Sequence, residues 1–298
     1  MPNQNLKKWS LLIVLSLIWG SSFILIKKGL VGLSPLQLGG FRIVISALFI
    51  FIPGYNSLKN ITKKEWKWLA LSGFLGTFFP SFLFAFAETE VDSTIASILN
   101  SLVPLNTIII GLVIFNIKSN RVQTFGVLLG FLGAVLLILE GAELNPRQNY
   151  WFAGLIILAT LMYAANVNII KKHLQNVRPL SIATANFVVI LFPAILVLLF
   201  SEGLSATALG NDTFLPALGC VVLLSLFGTA MAKVMFNRLI QISTPVFASS
   251  VTYLMPIVAL FWGVLDGEVF DLFQGFAALL ILVGVYLANK KSIKKDRM

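Results

Sequence analysis

The chain has a single cysteine, Cys220, and a single histidine, His173, among 298 residues. One thiol excludes an internal disulfide framework, and one thiol with one imidazole excludes Cys/His metal clusters. No metal and no cofactor is expected. Charge is equally scarce. Charged residues make up 11% of the chain against 58% apolar ones, whereas a soluble domain carries roughly 25% charged residues. Such a chain cannot cover a water-facing surface, so most of its area must face lipid. Signatures of chemistry are missing as well. There is no Gly-x-x-x-x-Gly-Lys for ATP, no His-Glu-x-x-His for zinc hydrolysis and no Gly-x-Ser-x-Gly nucleophile turn. The expectation is a non-enzyme, with an intramembrane enzyme or a channel as the alternatives.

What the chain does have is long apolar runs. About 20 apolar residues cross a bilayer as a helix. Ten runs qualify: Trp9–Ile26, Leu36–Pro53, Trp68–Ala87, Thr94–Asn116, Val122–Leu139, Trp151–Ile170, Leu180–Ser201, Phe214–Leu239, Pro245–Leu265 and Leu272–Asn289. Only Arg42, Lys233 and Arg238 put charge inside them. The first run follows Lys7-Lys8 as in a signal peptide, but it continues through Trp19-Gly-Ser-Ser without a small-residue cleavage site, so a retained first helix is expected.

Lysine and arginine near span ends set orientation. With a cytoplasmic N-terminus, 17 of the 22 basic residues lie inside, including Lys118 and the run Lys290, Lys291, Lys294, Lys295 and Arg297. The outer loops hold only Lys27, Lys28 and Arg147, while ten of the twelve acids, Glu88, Glu140 and Glu202 among them, fall outside. Both termini are therefore expected in the cytoplasm, and the protein in the plasma (inner) membrane. The net charge of +10 then follows topology and contacts anionic membrane lipid, which argues against a nucleic-acid partner.

The chain also repeats itself. Phe23-Ile-Leu-Ile-Lys-Lys-Gly-Leu returns as Val167-Asn-Ile-Ile-Lys-Lys-His-Leu, an offset of 144 that also carries Pro35 to Pro179. Ala96-Ser…Pro104 returns as Ala248-Ser…Pro256, and Gly76-Thr77 as Gly228-Thr229, both at 152. Gln123 and Gly133 match Gln274 and Gly284 at 151. Fixed-period similarity marks duplication. The fold expected is an all-α integral membrane protein of ten transmembrane helices in two five-helix repeats, 1–145 and 146–298. Five is odd, so the repeats would be inverted with respect to each other, a design that suits alternating access.

Trp19-Gly20-Ser21-Ser22, the Ala96…Pro104 and Ala248…Pro256 pair, and Leu265-Asp-Gly-Glu268 ahead of the last span resemble the EamA type of the drug/metabolite transporter superfamily. The resemblance runs over the whole chain. It implies a helical, non-ATP carrier of small organic solutes such as amino acids or related metabolites, working as exporter or exchanger. Lys233 departs from the family pattern.

Polar groups inside spans select the candidate substrate site, because lipid cannot satisfy them. Lys233 is read either as an anchor for a carboxylate or phosphate or as a lysine snorkelling to the cytoplasmic side. Arg42 is read as a charge at the outer mouth of the solute path or as a structural arginine bonded to helix carbonyls or to an outer-loop acid such as Glu88. Asn100 and Thr252 each stand four residues before a helix-kinking proline, Pro104 and Pro256, where freed carbonyls could meet substrate. Tyr253 adds a hydroxyl at that level. Asn166 is the counterpart of Ser22 and Tyr163 of Trp19, both at 144; with Asn168 they complete the proposed substrate-binding set. Ser22 could equally be helix-packing glue. Gly126, Gly130, Gly133, Gly275 and Gly284 suit close packing between halves or a homodimer face. Glu88 and Glu140 are the nearest candidates for proton coupling.

Overall fold

The computed structural model describes residues 2–115, 121–144, 148–201 and 212–289. Lys118, Arg147, Glu202, Lys290, Lys291, Lys294, Lys295 and Arg297 lie outside the described residues, as does the end of the fourth predicted span at Asn116. The described residues are helical and contain no strand. Their helices run as α1 (Pro2–Gly29), α2 (Pro35–Gly54), α3 (Lys63–Ala87), α4 (Ser93–Asn100 and Val103–Phe115), α5 (Arg121–Leu144), α6 (Ala153–His173), α7 (Pro179–Phe200), α8 (Phe214–Ile242), α9 (Pro245–Leu265) and α10 (Leu272–Asn289). Eight of them are long and apolar enough to cross a membrane. The apolar stretches of α5 and α10 are shorter, Leu128–Glu140 and Leu272–Leu287. The outer surface of the bundle is apolar: Ile52, Phe200, Leu215 and Leu272 are all exposed. Side chains of that kind find their solvent in hydrocarbon.

Local chemistry sets where helices start. Ser34 and Gln37 form a capping box ahead of α2, and Thr62 with Glu65 does the same for α3. Pro35, Pro179 and Pro245 occupy first-turn positions, where a missing N–H costs nothing. Pro53 and Pro193 lie inside unbroken helices, whereas Pro104 and Pro256 act as expected from the sequence. The helix of α4 breaks between Asn100 and Val103, just before Pro104. That of α9 tightens to a 3₁₀ turn over Ser250–Tyr253 before resuming at Met255, just before Pro256.

Two further irregularities were not foreseen. α3 carries a π-helical turn at Phe74–Phe78, and α8 carries one at Leu224–Met231. They enclose Gly76-Thr77 and Gly228-Thr229, the dipeptides that share an offset of 152. Widened turns of this kind recur at functional sites.

Packing uses the glycines. A Cβ on Gly284 of α10 would stand 2.4 Å from the backbone nitrogen of Gly130 on α5, and one on Gly133 would stand 2.8 Å from the Ala277 carbonyl. Gly126, Gly130, Gly133 and Gly284 are thus packed into the α5–α10 contact within the chain. The two lysine pairs lie at opposite ends of α8. Gly32, just past Lys28, presses on Thr213 at the start of α8, and Lys171 bonds carbonyls at its far end.

Candidate functional site

Between these helices lies a cavity of about 110 Å³, room for several water molecules. Seven helices line it: α1, α2, α3, α4, α6, α8 and α9. Both π turns contribute to its lining, and each presents a glycine to a polar side chain. A Cβ on Gly76 would collide with the Asn166 amide at 2.4 Å, and one on Gly228 with the Ser22 hydroxyl at 2.6 Å. Ser22 and Asn166 are themselves related by 144.

Two cations reach the cavity, and each is held by the other half of the chain. Lys233, 8% exposed on α8, donates to the Gly76 carbonyl at 3.2 Å and to the Thr77 hydroxyl. Arg42, 9% exposed on α2, donates Nε to the Thr229 hydroxyl at 2.8 Å. Thr77 and Thr229 are counterparts at 152. The lining residues include no Asp or Glu. The terminal nitrogens of Arg42 make no hydrogen bond among the described residues, so its planar fork is open to a bidentate acceptor. Arg42 is not ion-paired with Glu88; the hydroxyl of Thr229 takes that place. Lys233 does not snorkel either, because its ammonium is bonded on α3.

Seven of the nine predicted substrate residues line the cavity: Lys233, Asn100, Thr252, Asn166, Trp19, Tyr163 and Ser22. The indole of Trp19 donates to the Gly228 carbonyl at 2.8 Å. The Asn100 side-chain oxygen is buried without a donor among the described residues, an open acceptor beside the helix break. Asn168 and Tyr253 are not in the lining. Asn168 turns its amide to the Ala164 carbonyl at 2.9 Å on its own helix. The reason is helical geometry: residues two apart, such as Asn166 and Asn168, point to different faces. Ser81, Thr77, Thr229, Asn237 and Ser249 join the lining unforeseen. Ser81 is the 152 counterpart of Lys233, a signal that the sequence did carry. A second, more open groove of about 560 Å³ runs between α1, α8 and α9, but its walls are mostly apolar, with Leu25, Phe227 and Trp262 among them.

A polar cluster ties α1 and the start of α4 to the turn ahead of α10. Lys27 bonds Glu268 at 2.9 Å and Asp266 at 3.0 Å, and Lys28 also pairs with Asp266. Glu268 further accepts the backbone N–H of Ser93 and of Thr94, both at 3.0 Å, and both their hydroxyls at 2.6 Å. A carboxylate thereby caps the N-terminus of α4, where the helix dipole favours negative charge. The turn Leu265-Asp-Gly-Glu268 delivers both acids because Gly267 adopts φ +86°, open to glycine. At the C-terminal end of α8, Lys171 donates to the carbonyls of Ile240 and Ser243, at 3.2 and 2.7 Å.

Similarity to known proteins agrees with this geometry. The sequence profile of the EamA-like transporter family matches residues 7–139 and again 151–290. The chain is 26% identical to the uncharacterized inner membrane transporter YedA of Escherichia coli, covering 97% of this chain and 95% of that one. It is 24% identical, over 93% of each chain, to a probable amino-acid metabolite efflux pump of Salmonella typhimurium. One crystal structure superposes with a TM-score of 0.63 at 15% identity, covering 97% of both chains, which speaks for the fold alone. Cavity, helices and both profile matches converge: the chain belongs to the EamA-like transporter family.

Proposed function

We propose that the chain is a secondary transporter that moves a small organic solute bearing a carboxylate or phosphate, by alternating access around the Arg42–Lys233 cavity. The observation that carries the reading is the pair of buried cations in a lining without acids. A charge buried in a membrane protein is costly unless it is matched. Hydroxyls and a carbonyl hold Lys233 and Arg42 in place without neutralising them, so an anionic solute supplies the missing charge. Trp19, Phe23 and Tyr163 offer apolar and aromatic wall for the rest of the solute. The Salmonella relative, named as an efflux pump for amino-acid metabolites, favours the same solute class and the outward direction.

Alternating access rests on the division into 1–145 and 146–298 as inverted repeats, with both termini cytoplasmic. The reciprocal contacts support it. Arg42 reaches Thr229 as Lys233 reaches Thr77, and Gly76 meets Asn166 as Gly228 meets Ser22. The Lys27–Glu268 cluster joins the halves at the outer end in this conformation, and breaking it would open that side. The test is a thermal-stability screen of the purified protein against carboxylates, phosphate esters and neutral solutes, repeated on Lys233→Met. Stabilisation by anions that the variant loses is expected. Anions that stabilise both proteins equally overturn the reading.

A further inference from the structure

We propose that Glu88 is a proton-binding site of the carrier, and that its proton decides whether Arg42 is free to hold an anion in the cavity. The second half rests on the carrier reading above; the first does not. Glu88 closes the C-terminus of α3, one residue beyond the span, and is 7% exposed. Both of its carboxyl oxygens are buried, and neither accepts a hydrogen bond from any described residue.

The neighbouring charges are named by what they already hold. Lys27 of α1 is engaged by Asp266 and Glu268. Arg42 of α2 is tied by Nε to Thr229. Glu268, from the turn ahead of α10, opposes ionisation of Glu88, while Arg42 and Lys27 favour it. Tyr163 of α6 stands within Coulombic reach of Arg42. An ionised carboxylate buried without donors is strongly disfavoured, which a proton relieves. Burial and the Glu268 charge together push the Glu88 carboxyl well above the ordinary carboxylate range, against the pull of Arg42 and Lys27. Burial in a donor-free setting thus favours the protonated form of Glu88 in this conformation.

Releasing the proton to water leaves a carboxylate that draws on Arg42, whose terminal nitrogens make no hydrogen bond among the described residues. The fork of Arg42 then turns from the cavity towards Glu88. An anion in the cavity competes for the same fork, so anion and proton bind together, and each strengthens the other by the same factor. Anion affinity therefore rises as pH falls.

The test is an infrared titration of the full-length protein in lipid, following the carbonyl stretch of protonated carboxylic acids. A band is expected that persists at neutral pH and disappears in Glu88→Gln, an isosteric change that keeps the acid's shape. Its midpoint should rise by about one unit in Arg42→Gln and fall by about one in Glu268→Gln, the usual reach of a neighbouring charge. Sulfate, whose own charge is constant over this range, should raise the midpoint in the unaltered protein and leave it fixed in Arg42→Gln. A band missing at neutral pH, or one that survives Glu88→Gln, overturns the proton site. A midpoint indifferent to sulfate overturns the link to Arg42. A titration that follows Glu88 in a protein that no solute stabilises removes the carrier reading and leaves the proton site standing.

Discussion

The ammonium of Lys233 on α8 donates to the hydroxyl of Thr77 on α3, joining the second half of the chain to the first. The contact exists because α3 widens to a π turn there. A regular helix would rotate Gly76 and Thr77 away from the register that lets one ammonium take both the carbonyl and the hydroxyl.

Thr77→Val removes one of the two acceptors while leaving the lysine buried. A buried donor stripped of its partner costs about 1–3 kcal/mol. Replacing both partners by apolar groups of similar shape is nearly neutral. We therefore expect Thr77→Val to lower the unfolding temperature in detergent more than Lys233→Met/Thr77→Val does. If the double variant falls by the sum of the single ones, the two groups do not interact.

Much of this site was legible in the sequence, and what was not has physical reasons. Lys233 stood out because a charge inside an apolar run has few tolerable explanations. The breaks at Asn100 and Thr252 followed from Pro104 and Pro256, whose rings remove a hydrogen bond wherever they fall in a helix. The π turns were silent, since a shift from i+4 to i+5 bonding leaves no residue signature. Without them Thr77 and Thr229 looked like mere repeat markers, and the partner of Arg42 was left between helix carbonyls and an outer acid such as Glu88. The Leu265–Glu268 motif was visible, but its contact with Ser93, Thr94 and Lys27 joins segments about 175 and 241 positions apart. No local pattern reports that.

The Lys27–Glu268 cluster gives stability a defined pH dependence. Burial pushes the Glu268 carboxyl up, but its hydrogen bonds from Ser93, Thr94 and Lys27 outweigh burial and hold it below the ordinary carboxylate range. Asp266 is held down in the same way by Lys28 and Lys27, against burial. A value depressed in the folded state means that the contribution is present above the unfolded value and lost as pH falls through the folded one. Glu268→Gln should thus lower stability at pH ~7 by about 1.5–3 kcal/mol, the range for hydrogen bonds to charged groups. That deficit should shrink below pH ~4, near the unfolded carboxylate value. Unfolding temperatures of both proteins across that range decide it, and a deficit that is constant with pH would contradict the assignment.

Two glycines beside that cluster, Gly267 in the turn and Gly263 in the last turns of α9, should behave differently. At Gly267 an added Cβ meets nothing within 4 Å, so Gly267→Ala suffers only the left-handed backbone, about 1–2 kcal/mol for an L-residue. At Gly263 a Cβ would stand 2.2 Å from the Thr94 hydroxyl and 2.5 Å from a Glu268 carboxylate oxygen. Gly263→Ala must push the cluster apart. It should therefore destabilise more than Gly267→Ala, and it should also flatten the acid-side pH dependence just described, which Gly267→Ala leaves intact.

The seam between α5 and α10 separates internal packing from a dimer face. On α10, Gly284 is pressed against Gly130 and Gly126 of α5, whereas the nearest atom to a Cβ on Gly275 is a Phe270 ring carbon at 3.8 Å. Helices that approach this closely gain their affinity from backbone contact, and one methyl group is enough to force them apart. Gly284→Ala should cost about 1–3 kcal/mol, as overpacking does, and Gly275→Ala should be close to neutral. Both variants should keep the native oligomeric state on size-exclusion chromatography, because the glycines are spent within one chain. A shift in apparent mass for Gly284→Ala, without loss of thermal stability, would instead place the seam between subunits.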